Sequence, residues 1–258
     1  MTPDTLPRER QQTILRLLRE QGRVFSAQLA VQMAVSEDSI RRDLRDLASQ
    51  GLCRKVHGGA LPAAPAFPPL PARHAQQAAQ KHALAVAAAA QVRPGECLLL
   101  DAGSTNSAIA ACLPVQQGLH VITNAPDIAL ALLERGGIEV SLIGGRLDPR
   151  AGACIGAQAL EAVGNLRADL CFIGTCAVDA DAGLWAIDGE EAPFKRALLA
   201  ASNRCIAVAT NDKLGTQAAY RVGGLEQIDL LVIEHDAPDA QVQAFQQRGV
   251  DILRAAQH

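Results

Sequence analysis

The sequence, 258 residues long, predicts two units of different class. A mainly helical winged helix-turn-helix is expected over residues 1–60, and a larger α/β unit with a mostly parallel sheet over residues 74–258. Three observations carry this expectation. The stretch from Val35 to Ala60 reads as an amphipathic helix with a basic face followed by a short basic hairpin. Residues 61–72 read L-P-A-A-P-A-F-P-P-L-P-A, the composition of a stiff linker, taken here as 61–73. From Cys97 onward, apolar strand-like runs alternate with helical patterns, which is how βαβ units are written in sequence.

In the first unit, Ile14, Leu17 and Leu18 mark one amphipathic helix, and Ser26 to Met33 a second, short one with Ser26 as its expected cap. Ala34 and Val35 leave a tight turn before a third. Ser36 is its expected N-cap, with Glu37 and Asp38 in the first turn where the helix dipole favours anions. Ile40, Leu44 and Leu47 then recur at i, i+4 and i+7 and make one apolar face. Arg41, Arg42 and Arg45 fall off that face. Gly51 is the expected end of this helix. Cys53-Arg54-Lys55-Val56-His57 reads as a strand and Gly58-Gly59 as the turn of a hairpin. Three arginines beside Asp43 and Asp46 would, alone, be a solvated helix face. Three short helices followed by a basic hairpin make a double-stranded DNA reader the better expectation. Ser36, Ser39, Arg41, Arg42 and Arg45 on the third helix, with Arg54, Lys55 and His57 on the hairpin, are its candidate contacts.

The charge distribution agrees. The chain is 49% hydrophobic with net charge -3, yet residues 1–60 carry +3 and the remainder -6. A basic small unit on an acidic body suits a nucleic-acid reader with a separate module. Arg8, Arg10 and Arg16 interrupt any N-terminal apolar run, and the alanine-rich stretch from Ala83 to Ala90 is far short of the ~20 residues that span a bilayer. A cytoplasmic protein with no membrane partner is expected. Seven cysteines include no C-x-x-C pair, and no histidine is spaced to join Cys171 and Cys176, so neither a metal nor a cofactor is expected. Cys97, Cys154, Cys171 and Cys205 sit in apolar contexts expected to bury them as thiols.

His74 to Ala90 reads as one helix with Lys81 near its middle. Strands are then expected at Cys97–Leu100, His120–Thr123, Glu139–Ile143, Leu170–Ile173, Arg204–Ala209, Asp229–Ile233 and Val250–Leu253. Helices are expected at Asn106–Leu113, Asp127–Glu134 and Glu190–Ala201. Polar residues and glycines gather after the strands, where open α/β sheets bind ligands. Asp101-Ala102-Gly103-Ser104-Thr105-Asn106 follows the first and opens a helix, offering backbone N–H groups and hydroxyls to an anion. Asn124 follows the second strand, and Gly144-Gly145-Arg146 the third. Gly174, with Asp179 beyond it, and Asn211-Asp212-Lys213 follow later ones. Each alone is ordinary turn chemistry, and the spacing is not that of a nucleotide P-loop. Together they point to one crevice for a phosphorylated small molecule.

The segment from Ser26 to Ala60, with its I-R-R-D-L core, the G-L before the hairpin and the closing V-H-G-G-A, resembles the helix-turn-helix signature of DeoR-type bacterial transcriptional repressors. The likeness runs from about Pro7 to Glu234. It includes L-D-A-G-S-T, V-I-T-N, I-G-G-R-L, G-A-C-I-G, A-D-L-C-F-I-G, D-G-E-E-A-P-F-K-R and T-N-D-K-L-G. It implies a sensor body similar in fold to ribose-5-phosphate isomerase. It also implies an effector site lined by Asp101, Ser104, Thr105, Asn124, Lys195 and Lys213. The family commonly has a second threonine at Asn106, an acidic residue at Arg146 and D-S-S-K in place of T-N-D-K.

Two classes of function follow. The first is a transcriptional regulator, a repressor of a sugar-catabolic operon controlled by a phosphorylated sugar. The effector's phosphate would lie on Gly103–Asn106 with Lys213 or Lys195 beside it, and Asp101 and Asn124 would meet sugar hydroxyls. Gly144, Gly145 and Asp179 complete the candidate site. At least a dimer is expected, or a tetramer, since such readers contact two half-sites. The alternative is a sugar-phosphate isomerase-like enzyme with a DNA-binding appendage. Its general base would come from Glu190, Glu191, Asp101 or Asp179.

Overall fold

A computed structural model of the chain describes residues 7–62 and 68–257. The centre of the expected linker, residues 63–67, lies outside the described residues.

The first unit is α1 (Pro7–Gln21), β1 (Val24–Phe25), α2 (Ser26–Gln32), α3 (Glu37–Ser49), β2 (Cys53–Val56) and β3 (Gly59–Pro62). The three strands form one antiparallel sheet in the order β1-β3-β2. The predicted apolar spacing is what closes the core. Ile14 and Leu18 of α1, Leu29 of α2 and Ile40, Leu44 and Leu47 of α3 bury against one another and Val24. Ser36 caps α3 as expected, its Oγ accepting the N–H of Ser39 at 3.2 Å. Ser26 does not cap α2. Phe25 holds the cap position, and Ser26 is the first helical residue, buried, with its N–H donated to the Gly58 carbonyl at 2.8 Å. Asp43 also departs from a surface reading: it is buried and accepts from Arg10 Nη2 at 3.2 Å and Gln11 at 3.4 Å, which ties α3 to α1.

The helix expected from His74 to Ala90 is two helices, α4 (Leu70–Ala75) and α5 (Ala78–Ala89). The break falls at Gln77, whose φ of 52° lies in the left-handed region that a continuous helix excludes. Leu70, in the stretch read as linker, is buried against Gly152.

The rest of the chain is β4 (Cys97–Leu100), α6 (Ser104–Cys112), β5 (His120–Thr123), α7 (Pro126–Arg135), β6 (Glu139–Leu142), β7 (Arg146–Asp148), β8 (Ala153–Ile155), α8 (Ala157–Gly164), β9 (Ala168–Gly174), β10 (Ala177–Asp179), β11 (Gly183–Ala186), α9 (Glu191–Ala200), β12 (Ser202–Ala209), β13 (Tyr220–Gly223), β14 (Leu230–Ile233), α10 (Asp239–Gln247) and β15 (Asp251–Arg254). A 3₁₀ turn, Asn211–Lys213, follows β12. Seven strands form one parallel sheet in the order β15-β14-β12-β9-β4-β5-β6. Both faces are covered, which is why its strands read as continuous apolar runs. Leu98, Leu100, Val121 and Phe172 pack toward α5, α6 and α7. Leu99, Cys171, Ile173 and Ala207 face the cluster with α8, α9 and α10. The β7–β8 hairpin and the small antiparallel sheet β10-β11-β13 were not legible as alternating runs.

The two units touch. Arg23 pairs with Asp181 at 3.1 Å, Arg54 of the hairpin hydrogen-bonds Gln217, and Gly22 lies against Gly215.

Leu44 is wholly buried in the first unit, so Leu44→Ala should cost about 2–5 kcal/mol. A lowered urea midpoint by circular dichroism is the expected result; an unmoved midpoint would put Leu44 outside the core.

Candidate functional site

Strand order reverses between β4 and β9, with β5 and β6 on one side of β4 and β12, β14 and β15 beyond β9. Such a switch point opens a crevice at the carboxyl ends of the strands. Asp101 stands there, just past β4, and is 3% exposed. Its Oδ2 accepts the Gly174 N–H at 2.8 Å and its Oδ1 the Ala102 N–H at 2.9 Å. Lys195, reaching in from α9, forms an ion pair with Oδ2 and donates to the Gly174 carbonyl at 2.9 Å. Burial alone would push the Lys195 ammonium down. The combined pull of Asp101, Cys176 and Glu191 overrides it and holds the group above the ordinary lysine value. Gly174 is required at this point, since a Cβ would stand 2.7 Å from the Ala102 carbonyl and from Asp101 Oδ2.

Next to this pair is the head of α6. Gly103, at φ 143°, lets the chain turn from the strand end into the helix, in a region that L side chains rarely adopt. The first N–H groups of α6 have no acceptor within the helix. Asn106 is structural: its Nδ2 donates to the carbonyls of Asp101 at 2.8 Å and Phe172 at 3.0 Å. Thr105 is buried to 7% exposure, and its Oγ1 has no hydrogen-bond partner among the described residues. Ser104 lines the same cavity. Asn124 lines it too, with both ends of its amide committed, Oδ1 to the Ala102 N–H and Nδ2 to the Cys154 carbonyl, each at 3.1 Å.

Cations surround this floor. Lys213, at the end of the 3₁₀ turn, makes no ion pair with the described residues. Burial pulls its ammonium below the ordinary value, Cys176 and Asp212 pull it up, and Arg73 and Lys195 lower it further. Lys81 of α5, nearly buried, is pulled down to about 8 by burial and then by Lys213, with Asp212 opposing and Arg73 adding. Arg73 of α4 is lowered too, mainly by burial. Glu191 at the head of α9 is raised, chiefly by burial, and Cys176 Sγ lies 4.0 Å from it. These groups line one cleft of about 870 Å³, its open mouth included.

The structure therefore brings together Asp101, Gly103, Ser104, Thr105, Asn106, Asn124, Lys195 and Lys213. It leaves three expected residues outside the cleft. Asp179 Oδ1 accepts the N–H groups of Asp181 and Ala182 at 3.0 and 2.9 Å and closes the β10–β11 turn. Gly145, at φ 145°, is a close-approach glycine whose Cβ would meet the Ile155 carbonyl at 2.9 Å, and Gly144 precedes it. Sequence reasoning missed Arg73, Lys81 and Cys176 as wall residues of the cleft, and had Glu191 only as a candidate base of the isomerase alternative. Arg73 lay in the reading of a linker, and Lys81 in that of a single helix.

On the first unit, Arg41, Arg42 and Arg45 are exposed along α3. Arg41 is held by Glu37 at 2.8 Å and Asp38 at 3.7 Å, whereas Arg42 and Arg45 make no ion pair with the described residues. Ser36 and Ser39 share a hydrogen bond of 2.9 Å at the helix head. Lys55 and His57 are exposed on the hairpin.

Comparison with known proteins decides the family. Residues 10–64 match the DeoR-like helix-turn-helix domain, and residues 76–235 match the DeoR C terminal sensor domain. The chain belongs to the DeoR family of transcriptional regulators. It is 31% identical over 238 residues to the glycerol-3-phosphate regulon repressor of Escherichia coli (strain K12), covering 92% of this chain and 94% of that protein. It is also 31% identical over 248 residues to the HTH-type transcriptional regulator GolR of Listeria innocua, covering 95% of this chain and 98% of that protein. Among solved structures, ribose 5 phosphate isomerase A from Neisseria gonorrhoeae aligns over 57% of this chain and 56% of that one, with TM-score 0.40 and 16% identity. This DeoR-family chain is thus a DNA-binding regulator with a sensor domain. Among its described residues no helix is long and apolar enough to cross a membrane.

Lys195→Met would leave Asp101 buried with two N–H donors and no counter-charge, a change that costs about 3–5 kcal/mol. Thermal unfolding should show a large loss. A variant as stable as the parent would mean that the pair does not organise the cleft.

Proposed function

We propose that the chain is a repressor of a sugar-catabolic operon, that its sensor cleft takes a phosphorylated sugar, and that the bound sugar changes the affinity of the first unit for operator DNA. The observation that carries this reading is the excess of positive charge in the cleft. Asp101 and Lys195 neutralise each other, which leaves Lys213, Lys81 and Arg73 facing Glu191 and Asp212. Burial lowers all three. Neighbouring cations add to it at two of them, Lys213 and Arg73 acting on Lys81, and Arg73 and Lys195 on Lys213, which favours an anion among them. The head of α6 adds first-turn N–H groups with no acceptor inside the helix and the Thr105 hydroxyl, which has no partner among the described residues, the usual equipment of a phosphate site.

The expected chemistry is redistributed. Asp101 and Asn124 spend their polar atoms on the protein, so they shape the floor instead of meeting sugar hydroxyls. Lys195 is likewise held, and Lys213 becomes the cation for the phosphate. Glu191 is the carboxyl left to accept a hydroxyl. The same bookkeeping weighs against the isomerase alternative. Asp101 is saturated, Asp179 lies outside the cleft, and Glu190 pairs with Arg146 in solvent, so of the four candidate bases only Glu191 is left in the cleft.

Switching has a physical route. Thr216 Oγ1 donates to the Lys213 carbonyl at 2.7 Å, which stiffens a loop that ends at Gln217, the residue holding Arg54 of the hairpin. Arg42 and Arg45 on α3, with Arg54, Lys55 and His57, are the proposed DNA contacts. A dimer or tetramer in the cytoplasm suits two half-sites. The division into residues 1–60, a linker at 61–73 and a sensor at 74–258 belongs to the same proposal.

Two outcomes test it. Arg42→Ala should weaken operator binding and lower the salt slope by about one unit if Arg42 meets phosphate; wild-type affinity at moderate salt removes α3 from the interface. Lys213→Ala should bind operator normally and lose about ten- to a hundredfold in affinity for sugar phosphates, the worth of a charge-assisted bond. Operator affinity measured with and without sugar phosphate is the check, and a variant that responds like the parent places the effector elsewhere.

A further inference from the structure

Residues 68–77, the described part of the chain that leads into the sensor, lie against the cleft. Pro68, Arg73, Gln76 and Gln77 line it. Three contacts sew this segment down. Leu70 buries against Gly152, and Arg73 Nη2 donates to the carbonyls of Arg150 and Ala151 at 3.1 and 3.0 Å, in the turn of the β7–β8 hairpin. Gln77 Nε2 donates to Asp212 Oδ1 at 3.3 Å, one residue from Lys213. Beneath them Lys81 Nζ donates to the carbonyls of Arg73 and, at 2.7 Å, Gln76, clamping α4 to α5 around the left-handed Gln77. A non-glycine residue in that conformation is costly and persists where its surroundings impose it.

Resting on the anion-binding reading above, we propose that this connector is a wall of the sensor site: Arg73 grips the ligand's phosphate together with Lys213, and the Gln77–Asp212 hydrogen bond fastens the wall over it. Arg73 and Lys213 lie on opposite segments, one leading from the DNA-reading unit and the other from β12. A dianion between them draws the two together and makes the latch bond more favourable. A guanidinium is the group suited to this task, because its charge and donors are spread over three nitrogens, so that it can meet a phosphate while Nη2 stays on the Arg150 and Ala151 carbonyls. The ligand is thereby bound by the tether itself, and its occupancy fixes where the tether leaves the body.

The test uses the full chain, with inorganic phosphate, ribose 5-phosphate and glucose 6-phosphate as probes and free ribose and glucose as uncharged counterparts, measured by calorimetry and stopped flow. Arg73→Gln should lose roughly ten- to a hundredfold in affinity for the phosphorylated probes that bind, and Arg73→Lys should recover part of it. Gln77 is exposed, so Gln77→Ala should fold normally and release the probe several-fold faster. Trypsin should cut after Arg73 in the free protein and be slowed by probe in the parent, much less so in Gln77→Ala. If Arg73→Gln and Gln77→Ala match the parent in affinity, release and cleavage while Lys213→Ala loses binding, the phosphate site stands and the connector is no part of it. A parent chain that binds none of the phosphorylated probes overturns both readings.

Discussion

The sensor body depends on one buried ion pair, Asp101 with Lys195, set where the parallel sheet reverses its order. Removing two charges from water is costly, and their attraction repays it only when the remaining valences are filled. Here they are: two backbone N–H groups complete the carboxylate and the Gly174 carbonyl shares the ammonium. The pair joins the end of β4, the end of β9 and the middle of α9, three places far apart in the chain. Its worth lies in position more than in stability. It fixes the floor of the cleft and presents the head of α6 at a defined place.

With that pair closed on itself, the remaining charges acquire meaning. A cation in a partly buried cleft is destabilising unless something balances it, and Lys81 and Lys213 are depressed by burial first and by neighbouring cations second. A folded protein tolerates such a cost at a binding site, where the ligand supplies the missing charge.

Much of the fold was legible because burial on both faces writes parallel strands as plain apolar runs. The seven strands of the sheet lie where those runs lie, within a residue or two. The small sheet β10-β11-β13 and the β7–β8 hairpin were not, since their strands are short and interrupted by glycine and turns. For the site, sequence showed which polar residues follow strands but not what their atoms do. Asn106, Asn124 and Asp179 look like ligand-binding groups and spend their hydrogen bonds on backbone. Asp101 and Lys195 were both singled out, but a pairing across 94 residues leaves no trace in spacing. Arg73 was hidden by its setting, because proline and alanine around it read as linker. Asp43, set among arginines, read as a surface charge, though it is the buried partner of Arg10.

How much coupling can so small a site supply? A ligand shifts an equilibrium only by its differential affinity for the two states. One charge-assisted bond made in one state and absent in the other is worth about 1.5–3 kcal/mol, which lies in the range of typical allosteric couplings. Two such bonds, to Lys213 and to a cation on the opposite wall, would suffice to move operator affinity by several orders of magnitude without any large motion of the sheet. Both walls lead to the DNA-reading unit, one as its tether and the other through Gln217 to Arg54. Shifts of side-chain size at the cleft are therefore enough for the switch, provided that the segments carrying them are stiff. The hydrogen bonds of Thr216 and Lys81 give them that stiffness.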